Sequence, residues 1–206
     1  MTNFENIPEI KRWLDTGSIN FFGLPFAGKD SQARRLAQRF GGTVLSSGDI
    51  FRNSVIPPET KAMIDRGELA PTQDFINIVL PYLQKPEFAA LPLMLSSVGR
   101  WHGEEEGVIG ALESANHPLK AVVYLSLAEE IAFKRLVQED IVADRGNRID
   151  DDEDKLVTRI EEFKEKTFPV INYYREKGLL IEVDASLPKD TVEQEILDQL
   201  ARRANS

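Results

Sequence analysis

Short apolar runs alternate along this chain with longer stretches in which apolar residues return every three or four positions. The runs are Ile19-Asn20-Phe21-Phe22, Thr43-Val44-Leu45-Ser46, Leu91-Pro92-Leu93-Met94-Leu95, Ala121-Val122-Val123-Tyr124-Leu125 and Leu179-Leu180-Ile181-Glu182-Val183. Near-continuous apolarity over so few residues predicts strands buried on both faces. The intervening stretches carry helical faces: Ala33, Leu36, Ala37 and Phe40; Phe75, Ile76, Val79, Leu80 and Leu83; Val108, Ile109 and Leu112; Ile131, Phe133 and Leu136. Strand–helix alternation predicts an α/β fold, a three-layer α/β/α arrangement on a five-stranded parallel sheet. In such a sheet ligands sit at the carboxyl ends of the strands. Gly23 to Ser31, Ser47, Arg100 and Ser186 all fall just past predicted strand ends, which points to one cleft.

The remaining elements follow from punctuation. Residues 4–16 read as a packing helix, with Pro8 in its first turn, Ile10, Trp13 and Leu14 on one face, and Gly17 to end it. Gly41-Gly42 make a turn, and Thr72 is expected to cap the helix after it. Asp154 to Lys177 reads as one long helical stretch with a kink at Phe168-Pro169. A last helix ends near Arg203. The whole, residues 1–206, has the length of one domain with one sizeable core.

Composition narrows the classes. Hydrophobic residues make up 42% and charged residues 29%, as in ordinary globular proteins. No run approaches the roughly 18 apolar residues of a membrane span. There is no cysteine, which excludes disulfides and cysteine zinc sites. The first residues lack the basic-then-apolar order of a signal peptide, so a cytoplasmic protein without membrane partners is expected. The net charge of −9 argues against a general nucleic-acid binder. Polyanionic substrates would need the arginines gathered in one cleft against that average field.

The chemistry-bearing stretch is Gly23-Leu24-Pro25-Phe26-Ala27-Gly28-Lys29-Asp30-Ser31. A strand precedes it and an amphipathic helix follows, the context a phosphate-binding loop requires. Backbone N–H groups can converge on an oxyanion there, helped by the dipole of the new helix. Lys29 can reach the outer phosphates, and Ser31 offers a hydroxyl to Mg²⁺ or phosphate. An incidental glycine turn would leave Lys29 unexplained. The general pattern wants Ser or Thr directly after the lysine. Here Asp30 intervenes, and the spacing resembles the adenylate kinase family, whose loop reads G-x-P-G-x-G-K-G-T-Q. Phe26 and Asp30 stand where that family usually has glycine.

The resemblance runs from residue 19 to about 200, with motifs in the same order. It implies a P-loop kinase fold with a small acceptor-binding helical insert, about 47–88, and a short lid, about 139–152. Ser47-Gly48-Asp49-Ile50-Phe51-Arg52 resembles S-T-G-D-x-x-R, so Ser47 and Arg52 would hold the acceptor phosphate. Gly67-Glu68-Leu69-Ala70-Pro71 resembles G-x-L-V-P, which places the backbone of Glu68, Leu69 and Ala70 beside the acceptor base. Ser96-Ser97-Val98-Gly99-Arg100 stands where the family has D-G-F-P-R, with glutamine four residues later. Arg100 is kept, Val98 and Gly99 would touch the acceptor, Ser96 replaces the aspartate and Glu104 replaces the glutamine. Arg135 matches an arginine that stacks on the donor adenine. Asp144 to Asp151 resembles the short-lid G-R-x-D-D and supplies Arg148. Glu139 stands at a family arginine, for which Arg145 would substitute from within the loop. Arg159 matches K-R-L-x-x-Y, and Thr167, Pro169, Tyr173 and Tyr174 match as structural positions.

The resemblance therefore implies phosphoryl transfer from ATP to a nucleoside monophosphate, AMP by family preference, with Mg²⁺ and in a monomer. Lys29, Arg100, Arg148 and Arg159 would be catalytic. Gly23, Phe26, Ala27, Gly28, Lys29, Asp30, Ser31, Arg135 and Arg145 would bind ATP. Ser47, Arg52, Glu68, Leu69, Ala70, Val98, Gly99, Arg100, Glu104, Arg148 and Arg159 would bind the acceptor, and Mg²⁺ would sit at Ser31 and waters near Asp49.

Three departures bear on mechanism. With Ser96 a carboxylate near the magnesium waters is lost, and Asp49 or Asp30 could replace it. Asp30 would repel phosphate if it turned inward. Glu104 can only accept hydrogen bonds, which suits guanine, unless its helix is rotated to put it in solvent. The alternatives are thus a kinase of another monophosphate such as GMP, a regulatory nucleotide-binding relative with weak catalysis, and a kinase of an unphosphorylated acceptor.

Overall fold

The computed structural model describes residues 6–137 and 153–205. The five predicted strands are β1 (Ser18–Gly23), β2 (Thr43–Ser46), β3 (Leu93–Ser96), β4 (Leu119–Ser126) and β5 (Leu180–Asp184). They form one sheet in the order β2-β3-β1-β4-β5, and every pairing is parallel. The connection from β1 leads to β2 at one edge, and that from β4 leads to β5 at the other. Diverging connections of this kind open a crevice at the carboxyl ends of the central strands.

Side-chain alternation along each strand explains the apolar runs. Ile19 and Phe21 of β1, with Val123 and Leu125 of β4, join one buried cluster with helices α1 (Ile7–Leu14), α2 (Lys29–Phe40) and the C-terminal helix Lys189–Ala204. Phe22, Val122 and Tyr124 point the other way and pack with Leu156, Ile160, Phe163, Val170 and Tyr174. A third cluster gathers Leu45, Leu93 and Leu95 with Phe75, Val79, Leu83, Val108 and Leu112. A sheet covered on both faces in this way needs apolar residues at odd and even positions alike.

Two local readings are corrected. The first helix ends at Asp15, which takes φ +49°, and not at Gly17. Gly17 is instead needed for space, since a Cβ there would lie 2.7 Å from Leu14 O and from Lys120 Cγ. Thr72 is the first residue of its helix, not the cap, which is Pro71.

The kink expected at Phe168-Pro169 is a π turn, Phe163–Thr167, lying between helices Glu153–Glu162 and Phe168–Glu176. Phe168 donates its N–H to Phe163 O, five residues back. Pro169 has no N–H for the carbonyl four before it, and its ring crowds that carbonyl. The preceding turn therefore widens. The same thing happens at Phe75–Val79, where Leu80 donates to Phe75 O directly before Pro81. That second turn lies within 47–88, alongside helices Ser47–Arg52 and Pro58–Asp65. The expected lid, 139–152, lies outside the described residues.

Candidate active site

Above the carboxyl ends of the strands lies a cleft of about 960 Å³. One wall is the loop after β1. Gly23 has φ +155°, and a Cβ on it would meet Leu125 O of the next strand at 2.7 Å, so the loop can leave the sheet this closely only through glycine. Gly28 then caps α2. Between them Phe26, at a position where glycine was expected, sits at φ +65°. For a bulky residue that conformation is strained. Burial of its ring beside Phe22 and Tyr124 offsets the strain, and Arg135 Nη1 donates to Phe26 O at 3.0 Å. Arg135 Nη2 also donates to Ala185 O at 2.6 Å, joining this loop to the one after β5. Burial lowers the Arg135 guanidinium from its ordinary value.

Lys29 Nζ folds back into the loop and donates to Gly23 O and Leu24 O, both at 2.9 Å. Asp30 is turned toward the cleft, as one reading of the sequence feared. Its Oδ1 accepts a hydrogen bond from Ser96 Oγ at 2.6 Å.

The opposite wall rests on the loop after β3. Asn20, buried in the middle of β1, grips Val98 by both backbone groups. Its Nδ2 donates to Val98 O at 2.7 Å and its Oδ1 accepts from Val98 N at 3.3 Å. Ser97 donates its N–H to Phe21 O, and Ser47 Oγ donates to Ser97 O at 2.6 Å. So clamped, the loop delivers Arg100 to the cleft, where Arg159 lines the same space. Burial, then repulsion from Arg159, pushes the Arg100 guanidinium down to about 10. Two guanidiniums lining one space, one of them desolvated, favour an anion at that spot. Arg52 also lines the cleft and pairs with Asp49 at 2.5 Å.

Glu104 corrects one alternative. It is buried, so the solvent-facing reading is wrong. Its Oε2 accepts from the backbone N–H groups of Arg100 at 2.9 Å and Trp101 at 3.1 Å. Glu105 does the same for Gly103, and its other oxygen meets His102. The two glutamates shape the turn that carries Arg100. Glu104 itself is not among the residues lining the cleft, nor are Leu69, Ala70, Val98 and Gly99. Gly23, Phe26, Ala27, Gly28, Lys29, Asp30, Ser31, Ser47, Arg52, Glu68, Arg100, Arg135 and Arg159 do line it, together with Asp49 and Ser186. Arg145 and Arg148 lie outside the described residues.

A ring of contacts ties segment 47–88 to the rest. Leu69 N donates to Glu162 Oε2 at 3.0 Å, and Glu162 Oε1 takes Lys166 Nζ at 2.5 Å. Lys166 lies 4.2 Å from the centre of the Trp101 ring, and Trp101 Nε1 donates to Ala70 O at 2.9 Å. The turn at Gly67, φ +88°, presses so close that a Cβ would meet Arg159 Cγ at 3.1 Å and Lys155 O at 3.2 Å.

Among the described residues no three His, Cys, Asp or Glu side chains come together to hold a metal. What the cleft offers is hard oxygen donors, Ser31, Asp30 and Asp49. That set suits a Mg²⁺ ion that keeps most of its waters and arrives on phosphate oxygens.

A family model described as adenylate kinase matches residues 21–179. The chain belongs to the adenylate kinase family. It is 32% identical over 186 residues to the adenylate kinase of Parasynechococcus marenigrum strain WH8102, covering 88% of this chain and 97% of that one. It is 33% identical over 195 residues to the adenylate kinase of Agrobacterium fabrum strain C58, covering 90% and 98%. An adenylate kinase of Schistosoma mansoni is 32% identical over 189 residues, covering 89% and 92%.

Adenylate kinase motifs led to the loop and the arginines, but not to Asn20, Lys155, Glu162 or Lys166. Asn20 carries a signal in hindsight: a polar side chain inside a strand that is buried on both faces must find partners. Lys155 lines the cleft one helical turn before Arg159, on the same face. Glu162 and Lys166 look in sequence like a solvated i,i+4 pair, and nothing local marks their reach to Leu69 and Trp101.

Proposed function

We propose that this chain transfers the γ-phosphoryl group of ATP to AMP, giving two ADP, with Mg²⁺ as the accompanying ion. The observation that carries the reading is the convergence, in one cleft, of the Lys29 loop with Arg100 and Arg159. The loop binds the donor triphosphate through its N–H groups and Lys29, with Arg135 beside the donor base. The acceptor phosphate lies against Arg52, Arg100 and Arg159, and Ser47 steadies the loop under it. An oxygen of the AMP phosphate forms its bond to the γ-phosphorus as the bond to the β,γ-bridging oxygen breaks and ADP departs. That oxygen is already anionic, so no general base is required. What the protein supplies is alignment and charge. Ser31, Asp30 and Asp49 offer the hard oxygens that would hold a hydrated Mg²⁺, which would neutralise charge on the phosphates. Arg148 and Arg145 belong to the same reading as lid cations, and segment 47–88 as the acceptor insert, opening and closing on substrate. A cytoplasmic monomer completes it.

The position of Glu104 weighs against a guanine acceptor. Its Oε2 already serves two backbone N–H groups, and the side chain stays out of the cleft. The test is a coupled ADP-release assay with ATP, Mg²⁺ and, in turn, AMP, GMP, CMP, UMP and dTMP. Turnover is expected with AMP well above the others. A preference for GMP would overturn the acceptor assignment. Tight ATP binding without turnover on any of the five would replace the kinase with a nucleotide-binding protein.

A further inference from the structure

We propose that Asp30 orients the magnesium-bound waters of the donor nucleotide, and that Ser96 is the positioning residue that aims it. This rests on the kinase reading above. Asp30 sits between Lys29 and Ser31 in the first turn of α2, and its side chain borders the cleft. A carboxylate beside a phosphate-binding lysine is unfavourable by simple Coulomb repulsion. A divalent cation between carboxylate and phosphate inverts that sign. Mg²⁺ bound to a nucleotide keeps several waters and uses one or two carboxylates to hold them. Asp30 has the charge, and the neighbouring Ser31 has a hydroxyl in the same hard-oxygen class.

Ser96 supplies the geometry. It is the last residue of β3, buried, and in register with Phe21, two residues before the loop begins. Its hydroxyl is therefore fixed by the sheet, and at 2.6 Å it holds Asp30 Oδ1 on the cleft side. The family resemblance places an aspartate at 96 and a glycine at 30. In this chain the carboxylate comes instead from the loop, and the strand end contributes only the hydroxyl that orients it. Asp49 is the weaker candidate for the same work, since it is largely exposed.

The test measures ATP binding by titration calorimetry, with and without Mg²⁺, in the wild type, Asp30→Asn, Ser96→Ala and the exchange variant Asp30→Ser/Ser96→Asp. Asp30→Asn is expected to tighten metal-free ATP, because a negative charge is removed, and to weaken Mg–ATP. The ratio of the two affinities then falls by about 10-fold or more, the usual effect of losing a group that orients metal-bound ligands. Ser96→Ala should lower the ratio by a smaller factor, and the exchange variant should restore it. Equal tightening with and without Mg²⁺ would make Asp30 a mere repulsive charge and overturn the proposal, as would no change in either. An exchange variant that folds but leaves the ratio low would overturn the role of Ser96. A wild type that binds ATP in neither condition would bring down the kinase reading itself, a result distinct from all of these.

Discussion

The two walls of the cleft are held in different ways. The loop from Gly23 to Lys29 is stiffened largely from within: Lys29 bonds carbonyls five and six residues back, and Gly23 is jammed against Leu125. Segment 47–88 is held from a distance. Glu162 reaches Leu69 across 93 residues of sequence, and Trp101 reaches Ala70 across 31. The first arrangement is a preformed cradle, and preorganisation of that kind favours binding charge without reorganising. The second is a set of a few polar contacts, which can break and re-form together at less cost than a packed core. The difference predicts that damage to the loop shows in catalysis, whereas damage to the ring shows in acceptor binding.

The strongest way to break this contrast is Lys29→Met. Removing one preorganised donor from a transition state costs about 10²–10³ in rate, and a cation on a transferring phosphoryl about 10³–10⁵. A fall in kcat of about 10³-fold or more is therefore expected, with the melting temperature nearly unchanged. Near-normal turnover would mean that the loop is not the donor site.

Phe26 sharpens the same side of the comparison through stability. Relief of its left-handed backbone would return roughly 1–3 kcal/mol. Loss of a buried aromatic ring costs roughly 3–5 kcal/mol. The ring wins, so Phe26→Gly should destabilise by about 2 kcal/mol in urea unfolding. Phe26→Ala loses the ring and keeps the strain, so it should be the worse of the two, reversing the usual penalty for glycine. Alanine proving milder than glycine would show that residue 26 is not strained.

Glu162→Ala attacks the other wall. It leaves Leu69 N–H without its carboxylate and releases Lys166 from its partner. An orphaned buried donor costs about 1–3 kcal/mol. If that loss falls on the ordering of segment 47–88, KM for AMP rises about 10-fold while KM for ATP moves little. Equal increases for both substrates would erase the distinction between the walls.

This contrast also explains what could be read from the sequence. The sheet was legible because burial on both faces leaves apolar runs that need no knowledge of partners. The loop after β1 was legible because its determinants, glycines, a lysine and a helix start, lie within nine residues. The order β2-β3-β1-β4-β5 was not, since nothing local says which strands pair. Nor was the ring through Trp101, Lys166, Glu162 and Leu69, each member of which looks ordinary in its own neighbourhood. The π turn before Pro169 was half legible: proline announces a break in the ladder, but not that the chain answers it with a wider turn. For Glu104 the surface reading fails: the side chain is buried, and its partners are the backbone N–H groups of the turn just before it and the Thr72 hydroxyl.

Glu104 gives the smallest and most specific test. Burial raises its carboxyl above the usual 4.5, a shift that the N–H of Trp101 only partly opposes, and Glu105 adds to it. The folded protein therefore binds this proton more tightly than the unfolded chain does. Between the unfolded value and the raised one, stability falls as pH rises, and at neutral pH the ionised carboxylate is a net burden on the fold. Glu104→Gln keeps an acceptor oxygen for Arg100 N and Trp101 N but cannot ionise. Its urea midpoint should exceed the wild type's at pH 7, and the gap should close as pH is lowered toward 4.5, where the wild-type side chain is protonated too. The preference for AMP over GMP should stay as it was. A gap of opposite sign that widens with pH would mean that the charge is wanted where it lies, by Arg100 or by the turn. A shift in base preference would put Glu104 back against the acceptor and make the two walls less different than their contacts imply.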